Sequence, residues 1–454
     1  MLVHIFTQHE GTAADYHEGG NGLNHHVYDL AGIGIGPFNL SLAALLEDTP
    51  EVDSVFFDQK PEFDWHPGML IVGTRLQVPF MADLVTLADP TNRYSFLNYL
   101  AEKNRLYPFY FLQRLDIPRR EYNDYCKWVE SELNNCCFGK KVTALDYLED
   151  EGHYSLTVQD IHSGEEETIY SRNLVLGTGS SPVLPEAFRD LASERVFHTS
   201  QFLDYQDHCR DARSITVVGS GQSAAEAFRE LLKERMEHNY KLTWITRSAS
   251  FFSMEESKLT VEQFSPDYVN YFYQFPQDKK DRIFATQDLL YKGISSHTIT
   301  DIYNLLYENS VSNEEINVDL QVLTEVNGIR EKGDTYEIEC RQWEQDYEFT
   351  RESDVVIVGT GYHPNVPAFV KDISDYISWD DKGRYEVQPD YRLKVNVPND
   401  IYVQSGISHS HGIGSTNLGL AVHRNKIIIN HLLGREKYPI YEKNVFQNFD
   451  ARKL

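Results

Sequence analysis

The sequence predicts an α/β fold made of two Rossmann-like dinucleotide-binding domains, the first interrupted by the second, with small antiparallel β segments added. Three observations predict it. Two short apolar strands each run into a glycine turn and a helical stretch, at Gly32 to Gly36 and at Gly219 to Gly221. Each unit returns as a second strand that ends in a charged residue, Asp58 in the first and Arg247 in the second. Two further apolar strands, 173–176 and 354–358, run into Gly177-Thr178-Gly179 and Gly359-Thr360-Gly361.

In the first unit, Val27-Tyr28-Asp29-Leu30-Ala31 leads into Gly32-Ile33-Gly34-Ile35-Gly36-Pro37 and then into Leu40 to Leu46. Glycines at 32, 34 and 36 let the backbone turn tightly and approach a pyrophosphate, whose charge the free N–H groups of a helix start can hold. Pro37 suits a first helical position, where no N–H is missed. The strand Ser54 to Asp58 ends about 20 residues beyond the turn in an acid, followed by Gln59, where a ribose hydroxyl needs an acceptor. Pro37 stands in the usual place of the last glycine. The second unit repeats the plan as Ser214 to Val218, then Gly219-Ser220-Gly221-Gln222-Ser223, then Leu242 to Arg247. An arginine at that place pairs with a 2′-phosphate that an acid would repel, so NADPH is predicted here and FAD on the first turn.

The second unit lies between the two glycine-ended strands, which predicts an insertion. The expected layout is a flexible N-terminal arm over 1–26, the FAD-binding domain over 27–204, the NADPH-binding domain over 205–344, and a second FAD-binding part over 345–454. Alternation such as Tyr336-Glu337-Ile338-Glu339-Cys340 predicts antiparallel strands within 311–353.

A net charge of −27 argues against nucleic acid or an anionic membrane surface as partner, since both need a basic face, and suits a cationic small molecule. Five cysteines without a C-x-x-C indicate no disulfide framework, zinc knuckle or redox dithiol, and predict a cytoplasmic protein. No apolar run approaches the ~18 residues that span a bilayer. The five histidines of residues 1–26 have no accompanying acid or cysteine at ligand spacing, so no metal is expected. A reduced nicotinamide beside a flavin passes hydride onward to a disulfide, a quinone or O₂, and the missing dithiol leaves oxidation or oxygen activation.

The run Phe56-Phe57-Asp58-Gln59-Lys60-Pro61-Glu62-Phe63-Asp64-Trp65-His66-Pro67-Gly68-Met69-Leu70 resembles the N-hydroxylating flavoprotein monooxygenases of siderophore biosynthesis, which act on lysine, ornithine or diamines. So do Leu76 to Phe80, Asp89-Pro90-Thr91, Tyr94 to Leu100, the turn at 219–224 and Gly359 to Tyr362, where the family usually has alanine at 359. The likeness covers 27 to about 435. It implies that NADPH reduces FAD, that O₂ adds at the flavin C4a, and that an unprotonated amine attacks the resulting hydroperoxide in a dry pocket. No protein nucleophile is needed. The resemblance places Trp65, His66, Gln77 and Arg119 near flavin or substrate, and Thr360, Gly361, Ser415 and Leu418 on the cofactors. The stretch Ser408 to Leu418 is its closing loop over the flavin, so His409 and His411 belong to that loop and not to a metal.

Ornithine and lysine members read Gln-x-x-Phe-x-Lys-Asp, and that lysine grips the substrate carboxylate. Here Gln77-Val78-Pro79-Phe80-Met81-Ala82-Asp83 has alanine in its place. A carboxylate brought into a dry pocket without its cation loses a pairing worth several kcal/mol, on the order of a broken buried ion pair. Ornithine enzymes also place an asparagine where Val261 precedes Glu262-Gln263-Phe264-Ser265-Pro266. With Ser295 as a further substrate contact, the resemblance implies an aliphatic diamine, putrescine or cadaverine, with a slight lean to putrescine, and a homo-oligomer. Two other readings stay open: a lysine N6-monooxygenase with a substitute carboxylate anchor, and a non-catalytic or uncoupled flavoprotein that senses NADPH.

Overall fold

The structure of the protein, a computed structural model, describes residues 25–235, 237–311 and 316–453. The expected N-terminal arm lies, up to residue 24, outside the described residues. Of its remainder, His25 packs on Tyr170 at 5.0 Å and His26 meets Asp53 at 2.8 Å, so the chain is tied down from there.

The first glycine turn belongs to a seven-stranded sheet, in which Val27–Ile33 lies between Ser54–Asp58 and Glu166–Leu176, parallel to both. Alternate side chains leave on opposite faces, so Leu30 and Phe56 enter one core while Ala31, Ile33, Val55 and Phe57 enter another. Helix α1 (Pro37–Leu46) is buried at every position but Phe38. A helix apolar on all sides belongs inside a layer. It lies with α2 (Arg119–Glu132) on one face of the sheet. The long strand Glu166–Leu176 divides its far edge, taking antiparallel His153–Asp160 at its start and parallel Ile401–Val403 at its end. The returning C-terminal part thereby completes the first sheet.

The second turn belongs to a five-stranded sheet, all parallel, in the order Val196–His198, Val355–Val358, Ser214–Val218, Lys241–Ile245, Val318–Gln321. Helix α3 (Gln222–Glu234) buries Ala224, Ala225, Phe228, Leu231 and Leu232, an i, i+1, i+4, i+7, i+8 stripe, against it. The helices α4 (Pro266–Tyr273) and α5 (Ser296–Ser310) follow, and α6 (Leu418–Leu433) returns to pack on α1. Thr324–Lys332, Thr335–Gln342 and Tyr347–Ser353 form an antiparallel sheet within the expected span.

The expected insertion over 205–344 is too narrow at both ends. Val196–His198 and Val355–Val358, assigned by the sequence to the flavin part, pair inside the second sheet, and Val355–Val358 sits beside the strand that carries the second turn. The physical reason is that a short, wholly buried apolar run reads the same in either parallel sheet. The chain crosses where Ser180–Pro182 and Tyr362–Pro364 pair antiparallel.

Candidate active site

The two turns are built alike. In each, a glycine with positive φ presses on the glycine that ends a neighbouring strand. A Cβ on Gly34 (φ 86°) would stand 2.6 Å from the Gly177 carbonyl oxygen, and one on Gly219 (φ 125°) 2.2 Å from that of Gly359. The Gly177 and Gly359 amides in turn donate to the carbonyls of Ile33 and Val218, at 2.8 and 2.7 Å. The second pair of small-residue strand ends is therefore the floor on which each turn rests. Gly36 and Gly221, the N-caps of α1 and α3, behave differently: neither helix has a side-chain cap, and a Cβ at either glycine would meet nothing within 4 Å. Uncapped helix amides facing open space fit the pyrophosphate of a dinucleotide. Gly32 is needed for packing, since a Cβ there would fall 2.0 Å from the Phe56 ring. Pro37 opens α1, as the sequence predicts.

Asp58, expected at a ribose hydroxyl, is also engaged within the protein. Its carboxylate accepts the Ile35 amide at 2.7 Å and the Lys60 amide at 2.8 Å, so it first fixes the glycine turn, while Gln59 beside it is exposed. Arg247 lies exposed just past Lys241–Ile245, and the hydroxyl of its neighbour Ser248 meets that of Ser220 in the turn at 3.2 Å. That placement suits a 2′-phosphate. Ser223 meets Thr199 at 3.2 Å. Gln222 is committed within the protein: its amide donates to Glu226 and Thr298 and accepts from the Ser295 backbone. Thr360 donates to the Val183 carbonyl, and Gly361 (φ 85°) has open space beside it.

Between the turns runs an aromatic seam. Tyr122 meets Trp65 at 5.3 Å, Trp65 meets His66 at 5.1 Å, His66 meets Tyr362 at 5.5 Å and Tyr362 meets His198 at 5.3 Å, all edge to face. Trp65 is held from behind, its amide donating to Asn123 at 2.8 Å. His66 has a left-handed backbone (φ 53°) and is an exposed residue. The protein mass around it, and then the charges of Arg119 and Lys60, bring its pKa down to about 4, so the ring is neutral near pH 7. Arg119 forks onto Glu226 with two bonds of 2.9 Å and donates to the Met69 carbonyl at 3.1 Å. Arg119, expected near flavin or substrate, thereby forms a strut between the units, because a nearly buried guanidinium bonds the nearest buried carboxylate, and its charge also reaches His66 in the seam. Gly68 adds a close approach, since a Cβ there would lie 2.0 Å from the Ser200 carbonyl.

The substrate residues divide. Ala82 is buried beside the first turn of α6, its methyl 3.6 Å from the place of a Cβ on Gly419. Ser415 and Leu418 of the closing loop adjoin it in sequence, with Ser415 bonded to Ser408 at 2.7 Å. That loop leans on the segment carrying Val261: Gly414 packs on Val269 and Phe264, and Gly412 on Phe272. Val261 is itself 40 % exposed in the short helix Thr260–Gln263. Gln77 is exposed on Arg75–Pro79. Ser295 caps α5, and its amide donates to Gln222 at the second nucleotide turn. His411 stacks on Tyr391 at 4.5 Å and His409 bonds the Tyr385 carbonyl at 2.9 Å, so the two rings serve different partners. Among the described residues no group of three or more His, Cys, Asp or Glu could hold a metal.

Sequence reasoning missed Glu226 and Arg424. Each is a charge on the buried face of a helix whose stripe is mostly apolar, with Arg229 beside the first and Asn425 and Lys426 beside the second, and that conflict was the available signal.

Two dinucleotide turns that flank one seam define a flavin- and nicotinamide-linked oxidoreductase. Residues 26–364 match the L-lysine 6-monooxygenase/L-ornithine 5-monooxygenase family, and the chain belongs to it. It is similar to the putrescine N-hydroxylase of Shewanella oneidensis, with 44% identity over 94% of this chain and 85% of that one. The putrescine N-hydroxylase of Acinetobacter baumannii is 39% identical, over 94% of both chains. Among solved structures, the FAD-bound cadaverine monooxygenase of the desferrioxamine pathway in Erwinia amylovora superposes with a TM-score of 0.91, at 41% identity over 94% of this chain and 99% of that one.

Proposed function

We propose that the protein is an NADPH- and O₂-dependent N-hydroxylase of one primary amine of an aliphatic diamine, putrescine or cadaverine, and supplies a hydroxamate siderophore pathway. The observation that carries this reading is Ala82. It is buried at the start of α6, beside the closing loop, where amino-acid hydroxylases of the family carry the lysine that grips a carboxylate. The names of the relatives at 44% and 39% identity agree with it.

FAD, held on the first turn, supplies the hydride acceptor and the centre that activates O₂. The chain's own residues do the rest. Gly34 and Gly36 would seat its pyrophosphate against α1, with Gly32 making room for the Phe56 ring beside them, and Gly219, Gly221 and Arg247 would seat NADPH. Trp65, Tyr122 and Tyr362 wall the seam, and neutral His66 brings no extra proton to an amine that must stay unprotonated. The same reading carries a cytoplasmic protein, supported by five free cysteines. It also carries a homo-oligomer, supported by the exposed apolar face of Leu106, Tyr107, Tyr110, Phe111 and Leu115. Among the described residues no helix is long and apolar enough to cross a membrane.

The test is to load the protein with FAD, supply NADPH and measure hydroxylamine formed from putrescine, cadaverine, lysine and ornithine. Product from the diamines at a kcat/KM at least about tenfold above the amino acids is expected. Lysine or ornithine turnover without diamine turnover overturns it, and NADPH consumption that yields only peroxide favours an uncoupled flavoprotein.

A further inference from the structure

Arg424, in the middle of α6, is 1 % exposed, and among the described residues no carboxylate forms an ion pair with it. Its guanidinium donates to the Gln404 backbone carbonyl, to the Gln404 side-chain oxygen at 3.3 Å, and to the Ser415 carbonyl at 2.8 Å, while its Nε has no partner. Its faces rest on the rings of Phe38 at 5.3 Å and Tyr391 at 5.0 Å. Carbonyls and rings solvate a cation without neutralising it. A buried charge left in that state is expensive, and a fold keeps one where something else bears the opposite charge.

The surroundings identify that something. Phe38 is the second residue of α1, directly after the uncapped turn. Gln404 follows Ile401–Val403, which lies parallel to the strand ending at Gly177. Ser415 belongs to the closing loop. All three segments border the crevice at the carboxyl ends of the first sheet, where an open α/β sheet takes its ligand. The network continues inward, with Gln404 donating to Asn425 at 2.6 Å and Asn425 to Ser41 at 2.9 Å, so the cation is fixed from both sides. We propose that Arg424 is a positioning residue for the flavin, which pins the closing loop to the end of Ile401–Val403 and sets an unneutralised positive charge behind the crevice, favouring the reduced, anionic flavin over the oxidised one. This rests on the reading that the first turn holds FAD.

Two variants test it with the holoenzyme. Arg424→Gln removes the charge and retains amide donors for the two carbonyls. Gln404→Glu leaves the arginine in place and gives it an isosteric carboxylate partner. Both are expected to weaken binding of reduced relative to oxidised FAD about tenfold or more, read as a midpoint potential lowered by about 30 mV for the two-electron couple. Arg424→Lys, which keeps the charge, is expected to hold the wild-type potential. Wild-type potentials in Gln404→Glu and in whichever Arg424→Gln protein folds overturn the proposal while leaving the FAD reading intact. Failure of the wild-type protein to bind FAD overturns the FAD reading itself.

Discussion

Ala82 is 7 % exposed and lies against Gly419 in the first turn of α6, with Leu87 and Asn417 around the same point. A lysine there would carry its ammonium past these groups toward the closing loop, near the positive end of the helix dipole. A diamine is itself cationic, so the new charge repels the substrate and offers it no carboxylate partner. Ala82→Lys is expected to lower kcat/KM for putrescine and cadaverine at least about tenfold, equivalent to ~1.4 kcal/mol, with NADPH oxidation in the absence of amine changed less than about twofold. Initial rates on both diamines check it. Unchanged diamine kinetics would put residue 82 outside the substrate pocket.

At the scale of elements, the two strand–turn–helix units do the same work with separable consequences. A Cβ on Gly219 would fall 2.2 Å from the Gly359 carbonyl and must also adopt φ 125°, so the second turn has to shift. Gly219→Ala is expected to retain FAD, because the first turn rests on Gly177 in another sheet, yet to reduce its flavin with NADPH at least about a hundredfold more slowly at subsaturating NADPH, or ~2.7 kcal/mol. Stopped-flow reduction beside the flavin content separates the two effects; loss of FAD instead would show that the turns are not independent. The turns were legible in the sequence because apolar strand, glycine and helix start are local signals. The floor under them was half legible: the runs at 177–179 and 359–361 were visible and the first was placed with its own sheet, but the second was not. Pairing partners of a four-residue buried strand are set by the whole fold, which is why Val355–Val358 was misassigned. Arg119 and Glu226 stand 107 residues apart, so nothing local in either could announce the strut that joins them. The bond of Ser295 to Gln222, 73 residues away, was hidden for the same reason.

At the scale of the whole molecule, two electrostatic properties have opposite reach. Buried histidines act at short range. His198 and His411 are almost fully buried, and burial lowers their pKa values to about 4 and about 3 from an ordinary 6.5. A folded pKa below the unfolded one means that the unfolded chain takes up the proton first. Stability is therefore full above pH 6.5 and declines as pH falls toward 4, by up to about 1.4 kcal/mol per pH unit for each histidine. The melting temperature should drop by about 5 °C between pH 7.5 and pH 4.5, and a flat profile over that window would mean that these rings are hydrated in solution.

The net charge of −27 acts at long range, and its sign differs for the two substrates. A diamine carries two positive charges in solution near pH 7 and NADPH several negative ones, so the same field that gathers the first repels the second. Screening reaches about 30 Å at 0.01 M salt and about 8 Å at 0.15 M. Raising salt between those limits should lower kcat/KM for the diamine about three- to tenfold with little change in kcat, because encounter is affected and chemistry on bound substrate is not. For NADPH the change should be smaller or reversed, since exposed Arg247 offsets part of the repulsion at the point of contact. Rates measured at fixed pH in sodium chloride, varying each substrate in turn, distinguish this from a general salt effect. Parallel losses for both substrates would mean that the acidic surface does not steer, and that diamine selectivity resides wholly in the pocket around Ala82.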